Sequence, residues 1–185
     1  GHFEFIKYGN KWFVGLGVQN IKAYAERDQA RPARDAKNGM LPPKLAQILI
    51  NLCGPLPRGA TVLDPFCGTG VVLQEALLMG YKAYGTDLSE RIVGFARKNL
   101  EWLIARCSLE ERFSLSTGDA QDYQWEQPID AVAFEGYLGP PMSQAPAEIK
   151  LKQVISEVAP LYRNVLRNLS NQLQSGTPVV MAVPA

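Results

Sequence analysis

The sequence predicts an α/β fold, a mostly parallel sheet with helices on both faces. Three observations carry this expectation. From Ala60 onward, short apolar runs alternate with helical patterns. A glycine-rich turn, Gly68-Thr69-Gly70, lies between the first of those runs and the helix that follows it. An aspartate ends each of three runs, namely Asp64, Asp87 and Asp119. In open parallel sheets the ligand crevice lies at the carboxyl ends of the strands, where these residues fall.

The elements follow in order. Residues 3–8 and 11–18 are rich in aromatic and β-branched side chains and flank Gly9-Asn10, a hairpin signal. Asn20 is placed to cap a short helix through Ala25 and Asp28. Residues 31–39 are polar and broken by proline and glycine, so they read as a connection whose cations are either solvated or phosphate-facing. Met40-Leu41-Pro42-Pro43 opens a helix to about Cys53, with Leu45, Ile48, Leu49 and Leu52 as its buried stripe. Strands are expected at 60–63, 81–86, 112–117, 129–134 and 177–183, and helices from the glycine turn to 79, from Leu88-Ser89 through Leu103, and over 148–169. Phe95 and Trp102, seven residues apart on the second of these helices, are expected in the core. The last strand ends almost at Ala185, so further C-terminal strands are expected to be missing.

Composition narrows the function. Hydrophobic residues make up 46% and charged residues 20%, the proportions of a globular domain, and 185 residues suit one domain with an appendage. No apolar run approaches the ~18 residues of a membrane span, and no signal-peptide pattern opens the chain. Cys53, Cys67 and Cys107 lack paired spacing, which points to no disulfide framework, no metal and a reducing, cytoplasmic location. The single histidine, His2, removes Ser-His-Asp and Cys-His catalysis. A net charge of +1 lacks the basic excess of a stand-alone nucleic-acid binder, so any grip on RNA or DNA should come in good part from elsewhere.

The glycine turn admits three ligands. A P-loop needs Gly-Lys, a pair this chain lacks. A dinucleotide fingerprint needs a third glycine where Leu73 stands, so close helix–strand packing is not provided there. The remaining candidate is a phosphate-free adenosyl ligand, S-adenosylmethionine (SAM). Asp87 is placed to accept the ribose hydroxyls and Asp119 to meet the adenine amino group. Aspartate before a helix is also a common cap, and for Asp119 that reading stays open.

The segment Asp64-Pro65-Phe66-Cys67-Gly68-Thr69-Gly70, preceded by Gly39-Met40-Leu41-Pro42-Pro43-Lys44-Leu45-Ala46, resembles an RNA methylase family. That family includes the tRNA guanosine-N2 methyltransferases that usually carry an N-terminal THUMP domain. The likeness runs from about Arg31 to the C-terminus. It implies a Rossmann-like class I SAM-dependent methyltransferase domain over 39–185, with residues 1–38 as a hairpin and linker beside an RNA-binding part. It implies that SAM lies on residues 64–70, on Asp87-Leu88 and Asp119-Ala120, and against Met40, Leu41 and Pro42. The substrate it implies is RNA, with guanosine N2 of tRNA foremost.

The family's catalytic signature, Asp/Asn-Pro-Pro-Tyr/Phe, follows the fourth strand. Here that place holds Glu135-Gly136-Tyr137-Leu138, then Gly139-Pro140-Pro141. An exocyclic amino group is a poor nucleophile, and a side-chain oxygen with a main-chain carbonyl can orient it and stabilise its developing charge. By position Glu135 is the acceptor, Gly136 lies in the acceptor loop and Tyr137 is the face on which a base stacks. Glutamate is longer than aspartate, and glycine lacks proline's stiffness. The bland reading is that Glu135 caps a loop and Tyr137 packs into the core. Cys67 is read as a small buried residue rather than a nucleophile. Two other functions fit the same pattern: an amino-methyltransferase for adenine or cytosine in DNA, and a SAM-binding module without turnover.

Overall fold

A computed structural model describes residues 2–17, 20–35, 41–139 and 148–183. It divides into two compact units, Gly1–Ala30 and Arg31–Ala185. In the first, β1 (His2–Tyr8) and β2 (Lys11–Gly17) pair antiparallel with Tyr8 opposite Lys11. The two-residue loop turns on Gly9 at φ 58°, a conformation that glycine adopts without steric cost. Helix α1 (Ile21–Gln29) begins where the Asn20 side chain accepts the Ala23 N–H at 3.0 Å.

The second unit is built on five parallel strands. They are β3 (Thr61–Asp64), β4 (Lys82–Asp87), β5 (Phe113–Thr117), β6 (Ala131–Glu135) and β7 (Val179–Ala182), in the order β5-β4-β3-β6-β7. The helices are α2 (Pro43–Leu52), α3 (Val71–Leu78), α4 (Glu90–Cys107) and α5 (Glu148–Gln172). The strand order reverses between β3 and β6, which opens a crevice at their carboxyl ends.

Alternation along each strand sorts the core into two halves. Val62, Ala83, Ala131 and Ala133 face one cluster, which α2, α3 and α4 cover. Leu63, Tyr84, Val132 and Phe134 face the other, which α5 covers with Val154, Val158, Tyr162, Val165 and Leu169. Small strand residues meet the three helices, and large ones fill the space under the single helix. Each fully buried leucine or phenylalanine among them contributes roughly 2 kcal/mol. Pro160 lies within α5 but on its exposed side, clear of this stripe.

Several expectations change. The buried face of α2 is Pro43, Ala46 and Ile50, with Leu49 packed against the core; Leu45, Ile48 and Leu52 are exposed. Apolar residues occupy most of this helix, so two faces fit the same period, and Ala46 wins because a small side chain lets the helix approach the sheet. Residues 31–35 are more than a polar connection. Arg31, Ala33 and Asp35 are buried, and Asp35 pairs with Arg91 at 2.8 Å. Phe95 and Trp102 are half-buried rather than core, each beside the guanidinium of a residue four away, Arg91 and Arg106. The close helix–strand approach is present after all, with its glycine on the strand. A Cβ on Gly85 would stand 2.5 Å from the Leu73 side chain.

Candidate functional site

Asp64 and Asp87 end β3 and β4, Asp119 follows the end of β5 by two residues, and all three act in one way. Each bends the chain by accepting the amide two residues on: Asp64 from Phe66 at 3.0 Å, Asp87 from Ser89 at 2.9 Å and Asp119 from Gln121 at 2.9 Å. Asp119 thus serves a turn, since 118–122 is not helical. Its second oxygen takes the Gln121 side-chain amide at 3.2 Å.

The glycine turn is tied to the neighbouring strand. Cys67 N–H donates to the Thr86 carbonyl at 2.8 Å, and the Thr86 hydroxyl donates to the Pro65 carbonyl at 3.2 Å. Gly68 N–H donates to the second Asp87 oxygen at 3.1 Å. Gly118 N–H closes the line by donating to the Asp87 carbonyl at 3.0 Å. Asp87 therefore links the turn, its own strand tip and the tip of β5. Gly70, at φ 86°, caps α3, and a Cβ there would meet Ala96 of α4 at 3.3 Å. A Cβ on Gly68 would meet nothing closer than 3.9 Å, so bare backbone faces open space there.

Asn99 of α4 went unnoticed in the sequence. It is fully buried, donates to the carbonyls of Ala33 and Thr69 and accepts the Ala33 N–H, each at 2.9 Å. It binds the 31–35 segment to the glycine turn. The available signal was a polar residue on the apolar side of a helix, between Ile92, Ala96 and Leu103.

Among the other expected residues, Pro65, Cys67, Thr69 and Ala120 are buried, and Leu41 is buried in the same core cluster as Cys67. Phe66 stacks on Phe134 with ring centroids 5.6 Å apart. Pro42 and Leu88 are exposed. Met40 and Pro140-Pro141 lie outside the described residues. Glu135 ends β6, and Tyr137 is 53% exposed, so its ring is not part of the core.

Electrostatics single out the crevice. Burial drives the Asp64 carboxyl well above its usual range; the charges of Asp87 and Glu135 push it further, and the Phe66 amide opposes them. Burial also raises Glu135. The Cys67 thiol is pushed far up by burial, then by Asp64 and Asp87, which makes it inert as a nucleophile. Three acidic side chains thus converge where the backbone is barest. Such a place suits a ligand carrying positive charge, which favours the ionised form of carboxyls that burial otherwise holds toward the neutral acid. No group of metal-binding side chains occurs among the described residues. No helix among them is long and apolar enough to cross a membrane.

A doubly wound parallel sheet with a glycine turn and aspartates at its switch point defines a Rossmann-like α/β domain. Over residues 31–185 the chain matches the model of the family described as RMKL-like, methyltransferase domain, and it belongs to that family. A tRNA (guanine(10)-N2)-dimethyltransferase of Methanothermobacter thermautotrophicus is 33% identical over 159 residues, 85% of this chain and 43% of that protein. The crystal structure of TrmN from Thermus thermophilus superposes with a TM-score of 0.61 at 24% identity, covering 95% of this chain and 46% of that one. The glycopeptide N-methyltransferase MtfA, in complex with SAM, superposes with a TM-score of 0.56 at 16% identity, over 81% of this chain and 59% of that one. The chain spans less than half the length of the first of these relatives.

Proposed function

We propose that this domain transfers a methyl group from SAM to the exocyclic N2 of guanine in tRNA. The observation that carries the reading is the acidic crevice in which Asp64, Asp87 and Glu135 meet the glycine turn. The names of the sequence relatives support the substrate, and the family supports the chemistry.

The donor set fits SAM. Its sulfonium and ammonium charges favour the ionised form of the convergent carboxyls, and it carries no phosphate to oppose that. SAM supplies a methyl group already activated by the sulfonium. Each Asp87 oxygen takes one backbone N–H and keeps a second lone pair for a ribose hydroxyl. Asp119 and Ala120 flank the adenine, Gly68-Thr69-Gly70 lets the ligand lie on bare backbone, and Leu41 and Pro42 serve the methionine end, where the family resemblance alone assigns Met40. Glu135 and the Gly136 carbonyl accept the two amino protons of the target base, which turns its nitrogen lone pair toward the methyl group. Tyr137, half in solvent, offers a ring for a flipped base. RNA is gripped largely by parts of a longer protein outside this chain, and the reaction is placed in the cytoplasm.

Labelled SAM incubated with the full-length protein and bulk unmodified tRNA tests this. Nuclease digestion should release labelled N2-methylguanosine. Label in adenine or cytosine of DNA, or no label in any nucleic acid, would replace the reading.

A further inference from the structure

The signature this site resembles stiffens its acceptor loop with proline, and position 136 here is glycine. Glycine has the widest backbone freedom of any residue. A loop that must place a carbonyl to within half an ångström needs another restraint.

Tyr162 of α5 supplies two. Its hydroxyl donates to the Tyr137 carbonyl at 3.2 Å, and its ring fills the space beside Gly136. A Cβ on Gly136 would stand 2.6 Å from both the ring and the hydroxyl oxygen of Tyr162. The ring is 6% exposed and set among Phe134, Val158 and Val165, so it cannot swing aside cheaply. Its hydroxyl is pushed up to about 12, by burial first and the Glu135 charge second, so it remains a donor throughout the working pH range.

We propose that Tyr162 is the positioning residue of the Glu135-Gly136-Tyr137 loop, taking over the restraint that a proline at 136 would give. The pair is exclusive: a side chain at 136 and a tyrosine ring at 162 claim one space. Tyr162 acts through the loop and does not touch the base. The inference rests on the methyltransferase reading for its catalytic consequence, though not for the restraint itself.

Two readouts test it, both on the full-length protein. The first is methyl transfer to bulk unmodified tRNA. The second is hydrogen exchange of the amides of residues 135–139. Tyr162→Phe keeps the ring and loses only the bond to Tyr137. It should lower kcat about tenfold, the loss of one hydrogen bond, while KM for SAM stays within about twofold. The same amides should exchange at least about fivefold faster. Gly136→Pro alone should cost more than this, because it displaces the ring. Gly136→Pro with Tyr162→Ala should recover turnover above either single variant. A Tyr162→Phe protein with wild-type kcat or wild-type exchange over 135–139 overturns the proposal, as does a double variant no better than its worse parent. If the wild-type protein itself methylates no RNA, the functional reading falls. Exchange then decides the restraint alone, with faster exchange in Tyr162→Phe upholding it and unchanged exchange removing it.

Discussion

Glu135 is under two opposed demands. To take an amino proton it must be ionised, and burial disfavours the ionised form, holding its carboxyl above the ordinary 4.5. The folded state therefore prefers the protonated acid. The stability this preference gives is complete below pH 4.5 and is lost as pH rises through the raised folded value. At neutral pH the ionised side chain is a cost to the fold. Glu135→Gln should remove that cost, raising Tm at pH 7 to 8, with the difference from wild type closing as pH falls toward 4. The same change should lower kcat by about 10²–10³-fold, the usual loss when one polar contact to a transition state is removed, and weaken SAM far less, since Asp87 keeps its place beside the glycine turn. It should also erase the acid limb of the rate profile. Thermal scans across pH alongside transfer assays give both numbers, and a glutamine variant with wild-type turnover would remove Glu135 from the chemistry. The position was legible in the sequence because a carboxylate directly after an apolar strand is a local feature. Tyr162 was not legible, since its contact with the loop spans 25 residues and depends on how α5 crosses the sheet.

The glycine turn is legible as an element because strand, bend and helix adjoin in sequence. What holds it in place is not. Asn99 lies 30 residues beyond Thr69 and 66 beyond Ala33, and nothing local ties an asparagine on α4 to either. Helix α2 failed in a different way. Its apolar residues satisfy two helical faces equally, and only the sheet decides between Leu45 with Leu52 and Ala46 with Ile50. Asn99→Ala would strand two buried carbonyls and one amide. Each such group costs about 1–3 kcal/mol when water partly replaces the lost partner, so a net loss of about 3 kcal/mol is expected. In a domain of this size that lowers Tm by roughly 6–12 °C. The damage should also reach the ligand, because Thr69 sits in the turn. SAM titrated against Asn99→Ala by calorimetry should bind at least about tenfold more weakly, equivalent to about 1.4 kcal/mol. Unchanged affinity would mean that the turn holds its shape without α4.

At the scale of the whole molecule, the short apolar runs and the strand–helix alternation were enough to reach a parallel sheet, because burial on both faces writes itself into central strands such as β3 and β6. The strand order and the convergence of Asp64, Asp87 and Glu135 follow from crossovers that no single segment encodes. Charge is the global property the sequence states outright, and it has a consequence for RNA. Affinity for nucleic acid is dominated by cations that release counterions from phosphates. A chain with net charge +1 and an acidic crevice offers little net positive charge, and Arg91, Arg97 and Arg106 of α4 lie over aromatic rings. This chain alone should bind tRNA only in the non-specific range, with Kd of about 10⁻⁴–10⁻⁶ M. Its affinity should fall less than about tenfold between 50 and 200 mM salt, as for roughly two phosphate contacts. Fluorescence anisotropy with labelled bulk tRNA at both salts measures this. A Kd well below 10⁻⁶ M, or a fall near 10³-fold, would reveal a phosphate-binding surface within residues 1–185.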